Sequence, residues 1–176
     1  RDVLGDTYRH LGQPALSEAQ HAAAVRLREA ALGPDHPLTL TSVHNLAWAC
    51  ATTGRPAEAV RLLDRAVAGF TALYGPDHPA TLRSLDSLAV CYTDLGRHAD
   101  ALRLEEECLA ARRRVLPPDH PDIYQGMHNL AASYGALGRH ADALRLEEEC
   151  LTVQRRVLPP DHPDTLASLT NLANSY

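Results

Sequence analysis

The chain has 176 residues, with 17 basic and 22 acidic side chains and a formal net charge of −5 at pH 7. This mildly acidic balance disfavours nucleic-acid binding, which is expected to leave a basic footprint. No apolar run approaches the roughly 20 residues that span a bilayer. We therefore predict neither a nucleic-acid nor a membrane partner.

Four cysteines occur, Cys50, Cys91, Cys108 and Cys150, and none forms the CxxC spacing typical of zinc sites. Cys108 and Cys150 occupy the same position one repeat apart, which favours small buried packing residues. Reduced thiols suit a cytoplasmic protein. No metal or other cofactor is predicted.

A short block recurs along the chain at a fixed step of 42 residues. It reads Gly-Pro-Asp-His-Pro at 33–37 and 75–79, and Pro-Pro-Asp-His-Pro at 117–121 and 159–163. The same step relates Leu-Ala pairs and turn glycines. Such a period predicts stacked identical units, which present extended surfaces rather than buried catalytic pockets.

The elements follow from the N-terminus in alternating order. Residues 1–32 read as a partial first repeat, followed by full repeats at 33–74, 75–116 and 117–158 and by a lone helix within 159–176. In the first full repeat, Asp35 is the expected N-cap and Pro37 lies in the first helical turn. Each full repeat contains two helices, A and B, joined by short turns that make them antiparallel. About nine helices are predicted in a single array.

Apolar residues mark the buried side of both helices. Helix A of the first full repeat carries a stripe with helical spacing, and Gly54 ends it as a left-handed residue. Helix B repeats the pattern over a longer stretch. The stripe of helix A consists of Leu40, Val43, Leu46, Ala47 and Cys50.

Paired helices with these residues resemble the tetratricopeptide repeat. The resemblance rests on Leu46 and Ala47, the turn glycines, the aromatics Tyr92, Tyr134 and Tyr176, and the small residues Ala59, Ala101 and Ala143. The 42-residue length and the Asp-His-Pro turn are similar to kinesin light chains and nephrocystin-like proteins. The resemblance implies an all-α, right-handed α-α superhelix, with A helices lining a concave groove that binds peptides.

The resemblance also implies which positions face that groove. They lie on the side of helix A opposite the apolar stripe, and their mixed charge departs from the basic groove of kinesin light chains. The candidate binding residues are His44, Asn45, Trp48, Arg83, Asp86, Ser87, Gln125, His128, Asn129, Asn171 and Asn174, with Val90 and Asp94 beside them and Asp2, Asp6 and Arg9 in the partial first repeat.

Two groove features carry alternative interpretations. The asparagines at 45, 129 and 171 could pair with a peptide backbone or brace the neighbouring helix. Trp48, the only tryptophan, could be an exposed binding anchor or pack against an adjacent helix A. The histidines of the turn blocks lie too far apart to share a metal ion, which favours turn or cap roles.

No arrangement typical of nucleophilic, metal-dependent or phosphate-binding catalysis is present, so the chain is not expected to be an enzyme. The first hypothesis is a protein-interaction scaffold that binds a peptide in the helix-A groove. The alternatives are a structural or sensor array of a larger signalling protein, for example one with a nucleotide-binding switch ATPase, or a self-stacking fragment. The apolar stripe of the last helix predicts end-to-end association or a continuing chain.

Overall fold

The computed structural model describes residues 2–159, 162, 165–166, 168–170 and 172. All of its regular structure in this part of the chain is helical. Residues 165, 166, 168–170 and 172 are also helical, at the place of the predicted last helix. The bounded helices are α1 Asp2–His10, α2 Pro14–Leu32, α3 Pro37–Thr52, α4 Pro56–Tyr74, α5 Pro79–Asp94, α6 His98–Val115, α7 Pro121–Ala136 and α8 His140–Val157.

We call α1, α3, α5 and α7 the A helices and α2, α4, α6 and α8 the B helices. Proline occupies the first turn of α3, α5 and α7, where its missing N–H would have no helical partner. The residue before each of these prolines is the N-cap, and it is a histidine. The Nδ1 atoms of His36, His78 and His120 each accept a 3.2 Å hydrogen bond from the backbone N–H two residues later.

These histidines correct one prediction from the sequence. Asp35 was the expected N-cap of α3, yet His36 holds that position with an extended backbone, and Asp35 is exposed. Because Nδ1 is the acceptor, the ring proton of each neutral cap histidine lies on Nε2. The interpretation of the block histidines as cap residues is confirmed for His36, His78 and His120.

The turns after the A helices use glycine in the left-handed region. At Gly54, φ is 78°, and the N–H of Arg55 donates to the carbonyl of Cys50 over 2.9 Å. This closing bond belongs to the Schellman motif, which satisfies a carbonyl left open at a helix end. Gly96 and Gly138 have the same sign of φ, so the predicted glycine ends are confirmed.

The described contacts group into two compact units, Arg1–Arg97 and His98–Tyr176. In the first unit, each helix packs on the next from α1 to α5, and the A helices α1, α3 and α5 also contact in sequence. In the second unit, α7 packs on both α6 and α8. None of the described helices is long and apolar enough to cross a membrane.

Each unit has an apolar core between its A and B helices. In the first unit Leu40 and Val43 of α3 pack with Ala66 and Phe70 of α4, and all four are fully or nearly fully buried. The predicted stripe of α3 is confirmed, with Leu46 only half-buried. In the second unit the core joins Leu109, Ile123, Tyr124, Met127, Leu130, Ala131, Tyr134, Ala143, Leu146 and Cys150.

Candidate functional site

The A helices of the first unit present a continuous polar and aromatic face. Trp48 lies on α3 in the middle of this face, and 39% of its side chain is exposed. Trp48 lines two hollows, one shared with α5 and the other with α1. At this exposure Trp48 is not part of the buried core, and its role as a binding anchor stays a prediction.

The larger hollow, which we call the Trp48 hollow, lies between α3 and α5. Its volume is about 330 Å³, within the range of small ligand sites. Leu63 and Cys91 are buried and form its floor, whereas Val90 is 54% exposed. The lining residues are Trp48, Ala51, Thr52, Leu63, Asp86, Ser87, Val90, Cys91 and Asp94.

The smaller hollow, which we call the Arg9 hollow, lies between α1 and α3. Its volume is about 140 Å³. The guanidinium carbon of Arg9 lies 5.2 Å from the centre of the Trp48 ring, within cation–π distance. The lining residues are Asp6, Arg9, His21, His44, Asn45 and Trp48.

Asn45 lines the Arg9 hollow with its amide group available. The side chain is half-buried and makes no hydrogen bond to any described residue. An amide can both donate to and accept from a peptide backbone. Asn45 thus makes no hydrogen bond that braces a described helix, and its contact with a ligand stays a prediction.

The equivalent asparagine of the second unit has a different partner. The Nε2 group of Gln125 donates to Oδ1 of Asn129 over 3.1 Å, one turn away on the same helix α7. Gln125 is exposed and Asn129 half-buried. Neither residue braces another described helix through this bond. The predicted residues Asn171 and Asn174 lie outside the described residues.

His44 lines the Arg9 hollow but has a structural partner. It is only 8% exposed, and its Nδ1 lies 3.2 Å from Oγ of Ser84 on the next A helix. Burial lowers the pKa of His44 to about 4, and the charge of Arg83 acts in the same direction. The ring is therefore neutral at pH 7 and braces α3 against α5.

Ser84 lies forty residues after His44, and two further pairs with the same separation are also joined by a hydrogen bond. Ser42 donates from Oγ to Oδ2 of Asp2 over 2.9 Å, and Ser168 Oγ lies 2.9 Å from Nε2 of His128. The sequence placed Asp2, His44 and His128 on the ligand face. The hydrogen bonds show that these three side chains link neighbouring helices, and their contact with a ligand stays a prediction.

The remaining predicted residues lie on α5. Ser87 and Asp86 are half-buried and line the Trp48 hollow. Ser87 also donates from Oγ to the carbonyl of Arg83 over 3.2 Å. Arg83 is exposed and does not line either hollow. The structure thus brings Asn45, Trp48, Asp86 and Ser87 together and leaves Arg83 at their margin.

Sequence reasoning missed the floor of the Trp48 hollow and its contribution from a B helix. Leu63 of α4 belongs to the predicted apolar stripe of helix B, whereas Cys91 of α5 lies at the repeat position of Ala49, outside the predicted stripe of helix A. Only the spacing between α3 and α5 reveals that their side chains also close a hollow. No signal in the sequence identifies such a gap.

The thiols of Cys50 on α3 and Cys91 on α5 differ from a free cysteine in their ionisation. Burial raises the pKa of both Cys50 and Cys91 to about 11, which keeps these thiols protonated and weakly nucleophilic. Within the described part of the chain, no group of three His, Cys, Asp or Glu side chains is placed to hold a metal ion.

Comparison with known proteins shows what the chain is similar to. Family models described as tetratricopeptide repeat match residues 2–72, 52–114 and 126–164. None of the curated protein sequences compared with the chain matches it.

Solved structures extend the likeness over nearly the whole chain. One is a protein of Podosopora anserina assigned as a kinesin light chain with nearly identical TPR-like repeats. It is 32% identical to this chain with a TM-score of 0.89, and the match covers 99% of this chain and 83% of the Podosopora anserina chain. A glutamine-to-methionine variant of that protein is also 32% identical, with a TM-score of 0.90 and coverages of 99% and 82%. BtubC (BKLC) from P. vanneervenii shares the fold at 19% identity, with a TM-score of 0.86 and coverages of 99% and 69%.

Proposed function

Because the chain belongs to the tetratricopeptide repeat family, with repeats of the kinesin-light-chain-like type, we propose that it is a non-catalytic scaffold that binds a peptide segment. Tetratricopeptide repeats serve in general as protein-interaction modules. The binding face that we propose is the A-helix groove of the first unit, centred on Trp48.

The observation that carries this proposal is the exposed indole between two adjoining hollows. A bound side chain in either hollow would contact the Trp48 ring, and tryptophan is enriched among the residues that dominate binding energy. The free amide of Asn45 lies beside it and suits the N–H and C=O groups of an extended peptide. A row of such contacts along stacked helices is how repeat proteins hold linear ligands.

A displayed random-peptide library, selected on the whole chain, tests this proposal. Peptides that bind the groove should change the fluorescence of Trp48, which is the single tryptophan of the chain. Trp48→Ala should weaken their binding about thirtyfold, the effect of losing a hot-spot residue of about 2 kcal/mol.

A matched control distinguishes the specific effect of removing Trp48 from the general effect of removing any exposed apolar side chain. Leu73 lies on the B helix α4 and is 45% exposed, so Leu73→Ala should leave peptide binding unchanged. Circular dichroism of both variants verifies the fold. Binding that survives Trp48→Ala but fails in Leu73→Ala would place recognition on the B helices and would contradict the proposal.

A further inference from the structure

Resting on the proposed function, we propose that the Trp48 hollow accepts a basic side chain of the bound peptide, arginine above all. The lining residues include two carboxylates, Asp86 and Asp94, and no cationic side chain. The apolar part of the lining consists of Trp48, Ala51, Leu63, Val90 and Cys91. A long side chain with an apolar stem and a cationic head matches this combination.

The apolar part of the hollow suits the stem and the guanidinium plane. Leu63 and Cys91 are buried beneath it, and Trp48 and Val90 are exposed at its walls. The ring of Trp48 already contacts a guanidinium, that of Arg9, in the neighbouring hollow. The indole is thus placed where cation–π contacts form, and the Trp48 hollow borders the same ring from the α5 side.

The acidic part of the hollow depends chiefly on Asp94. This side chain is exposed, and no hydrogen bond or ion pair joins its carboxylate to another described residue. Asp86 already has an interaction partner within the chain, so it adds negative charge to the hollow but is not an unpaired carboxylate. Asp94 therefore supplies the carboxylate that an incoming cation can pair with.

The position of Asp94 is unfavourable for the helix that carries it. Asp94 is the last residue of α5, and the last turn of that helix contains no basic residue. A negative charge at a helix C-terminus opposes the macrodipole. A residue that helix stability disfavours is more readily explained by a ligand than by packing.

The repeats themselves show that packing does not require this pair. The positions equivalent to Asp94 are His10, Thr52 and Ala136, and those equivalent to Trp48 are Asp6, Val90, Ala132 and Asn174. The A helices α1, α3 and α7 thus form without an acid at the position of Asp94, and α1, α5 and α7 form without an aromatic residue at that of Trp48. Trp48 and Asp94 lie in consecutive repeats, and both line the Trp48 hollow.

The test begins with the amino-acid frequencies of peptides selected from a random heptapeptide library. Arginine and lysine should be enriched over the unselected library, whereas aspartate and glutamate should be depleted. In the best-enriched peptide, replacing its key arginine by citrulline removes the charge and keeps the shape. This replacement should weaken binding about tenfold through lost cation–π and ion-pair contacts.

The variant Asp94→Asn tests whether the loss of binding caused by citrulline arises in the Trp48 hollow. This variant should bind the arginine peptide about threefold more weakly, and the loss from citrulline should shrink by the same factor. Asp64→Asn removes an equal charge from the exposed face of the B helix α4 and should change neither value.

The outcomes distinguish this inference from the proposed function. Peptides that require Trp48 but carry acidic or neutral residues, or citrulline peptides that bind as well as arginine peptides, would overturn the basic-side-chain pocket and leave the peptide groove intact. An unaltered citrulline effect in Asp94→Asn would also overturn the assignment to this hollow. A library that yields no binding peptide would overturn both proposals.

Discussion

At the scale of single residues, the first unit is organised around side chains that the repeat pattern treats as equivalent but that have different roles. His44 and Asp86 occupy one repeat position, yet His44 is buried and hydrogen-bonded to the next A helix, whereas Asp86 is half-buried in the lining of the Trp48 hollow. The ring of His44 is largely removed from water, and its hydrogen-bond partner is the neutral hydroxyl of Ser84. Its protonation is therefore coupled to the stability of the contact between α3 and α5.

This coupling predicts a dependence of stability on pH. The pKa of His44 is about 4 in the folded chain and near its ordinary value of 6.5 when unfolded. Between these values the unfolded chain binds more protons, so the free energy of unfolding decreases as pH falls from 6.5 to 4, by roughly 3 kcal/mol in total. Urea unfolding of the wild type and of His44→Gln measures the difference.

The other histidines are common to both proteins, so the difference between the two curves isolates His44. The wild type should lose more stability than His44→Gln on acidification. Parallel curves for the two proteins would show that His44 titrates normally in the folded state and that burial does not suppress its charge.

The N-cap is a second case in which a neighbouring side chain takes the expected role. His36→Ala should cost about 1 kcal/mol of unfolding free energy, the usual effect of removing a cap acceptor. Asp35→Ala should change it by less than about 0.5 kcal/mol, because the aspartate is exposed and makes no described hydrogen bond. Urea unfolding at pH 7.5 compares them, and a larger loss from Asp35→Ala would restore the original prediction.

At the scale of helices, sequence reasoning predicted the A and B helices because proline and glycine fix their ends and the 42-residue period repeats their apolar stripes. The turn block did not reveal which of its two adjacent acceptors caps the helix, because both Asp35 and His36 carry a side-chain acceptor and the backbone conformation of the turn decides between them. The braces were also missed, because their partners lie forty residues apart on different A helices. The repeat step relates equivalent residues, not contacting ones.

A contact between α1 and α2 can be recognised because both of its residues differ from their equivalents in the next repeat. Gly5 occupies the position of Ala47, and His21 occupies that of Leu63. A Cβ atom added to Gly5 would lie 2.5 Å from the His21 ring, which is itself buried and bonded to Asp2. The smaller residue on one helix therefore compensates for the ring on the other.

Gly5→Ala should accordingly destabilise the chain by about 1–3 kcal/mol through overpacking, although alanine normally favours a helix over glycine. In a His21→Leu background the same substitution should become neutral or stabilising, because the pair then matches Ala47 and Leu63. Thermal unfolding of the four proteins in this cycle measures the coupling. Equal effects of Gly5→Ala in both backgrounds would show that the ring and the glycine are independent.

At the scale of the whole molecule, the family assignment confirms the predicted all-α tetratricopeptide fold, and the division into repeats stays a prediction. The predicted end-to-end association also remains untested, since part of the last helix lies outside the described residues. Fold class was predictable because it depends on the period. The hollows were not, because they depend on distances between A helices.

The cysteines report on the integrity of this fold. All four thiols are buried, and the raised pKa values of Cys50 and Cys91 reduce their thiolate fraction about a hundredfold at pH 8. Reaction with a chromogenic disulfide should therefore be at least about a hundredfold slower for these two thiols in the native chain than in urea. Rapid reaction of the native protein would contradict their burial.

The most direct measurement of the central claim is photo-cross-linking with a selected peptide that carries a benzophenone side chain. Peptide mapping of the cross-linked chain should place the products on α1, α3 and α5 around Trp48, and Trp48→Ala should strongly reduce their yield. Products confined to the B helices α2 and α4, or unaffected by Trp48→Ala, would show that the A-helix face of the first unit is not the binding site.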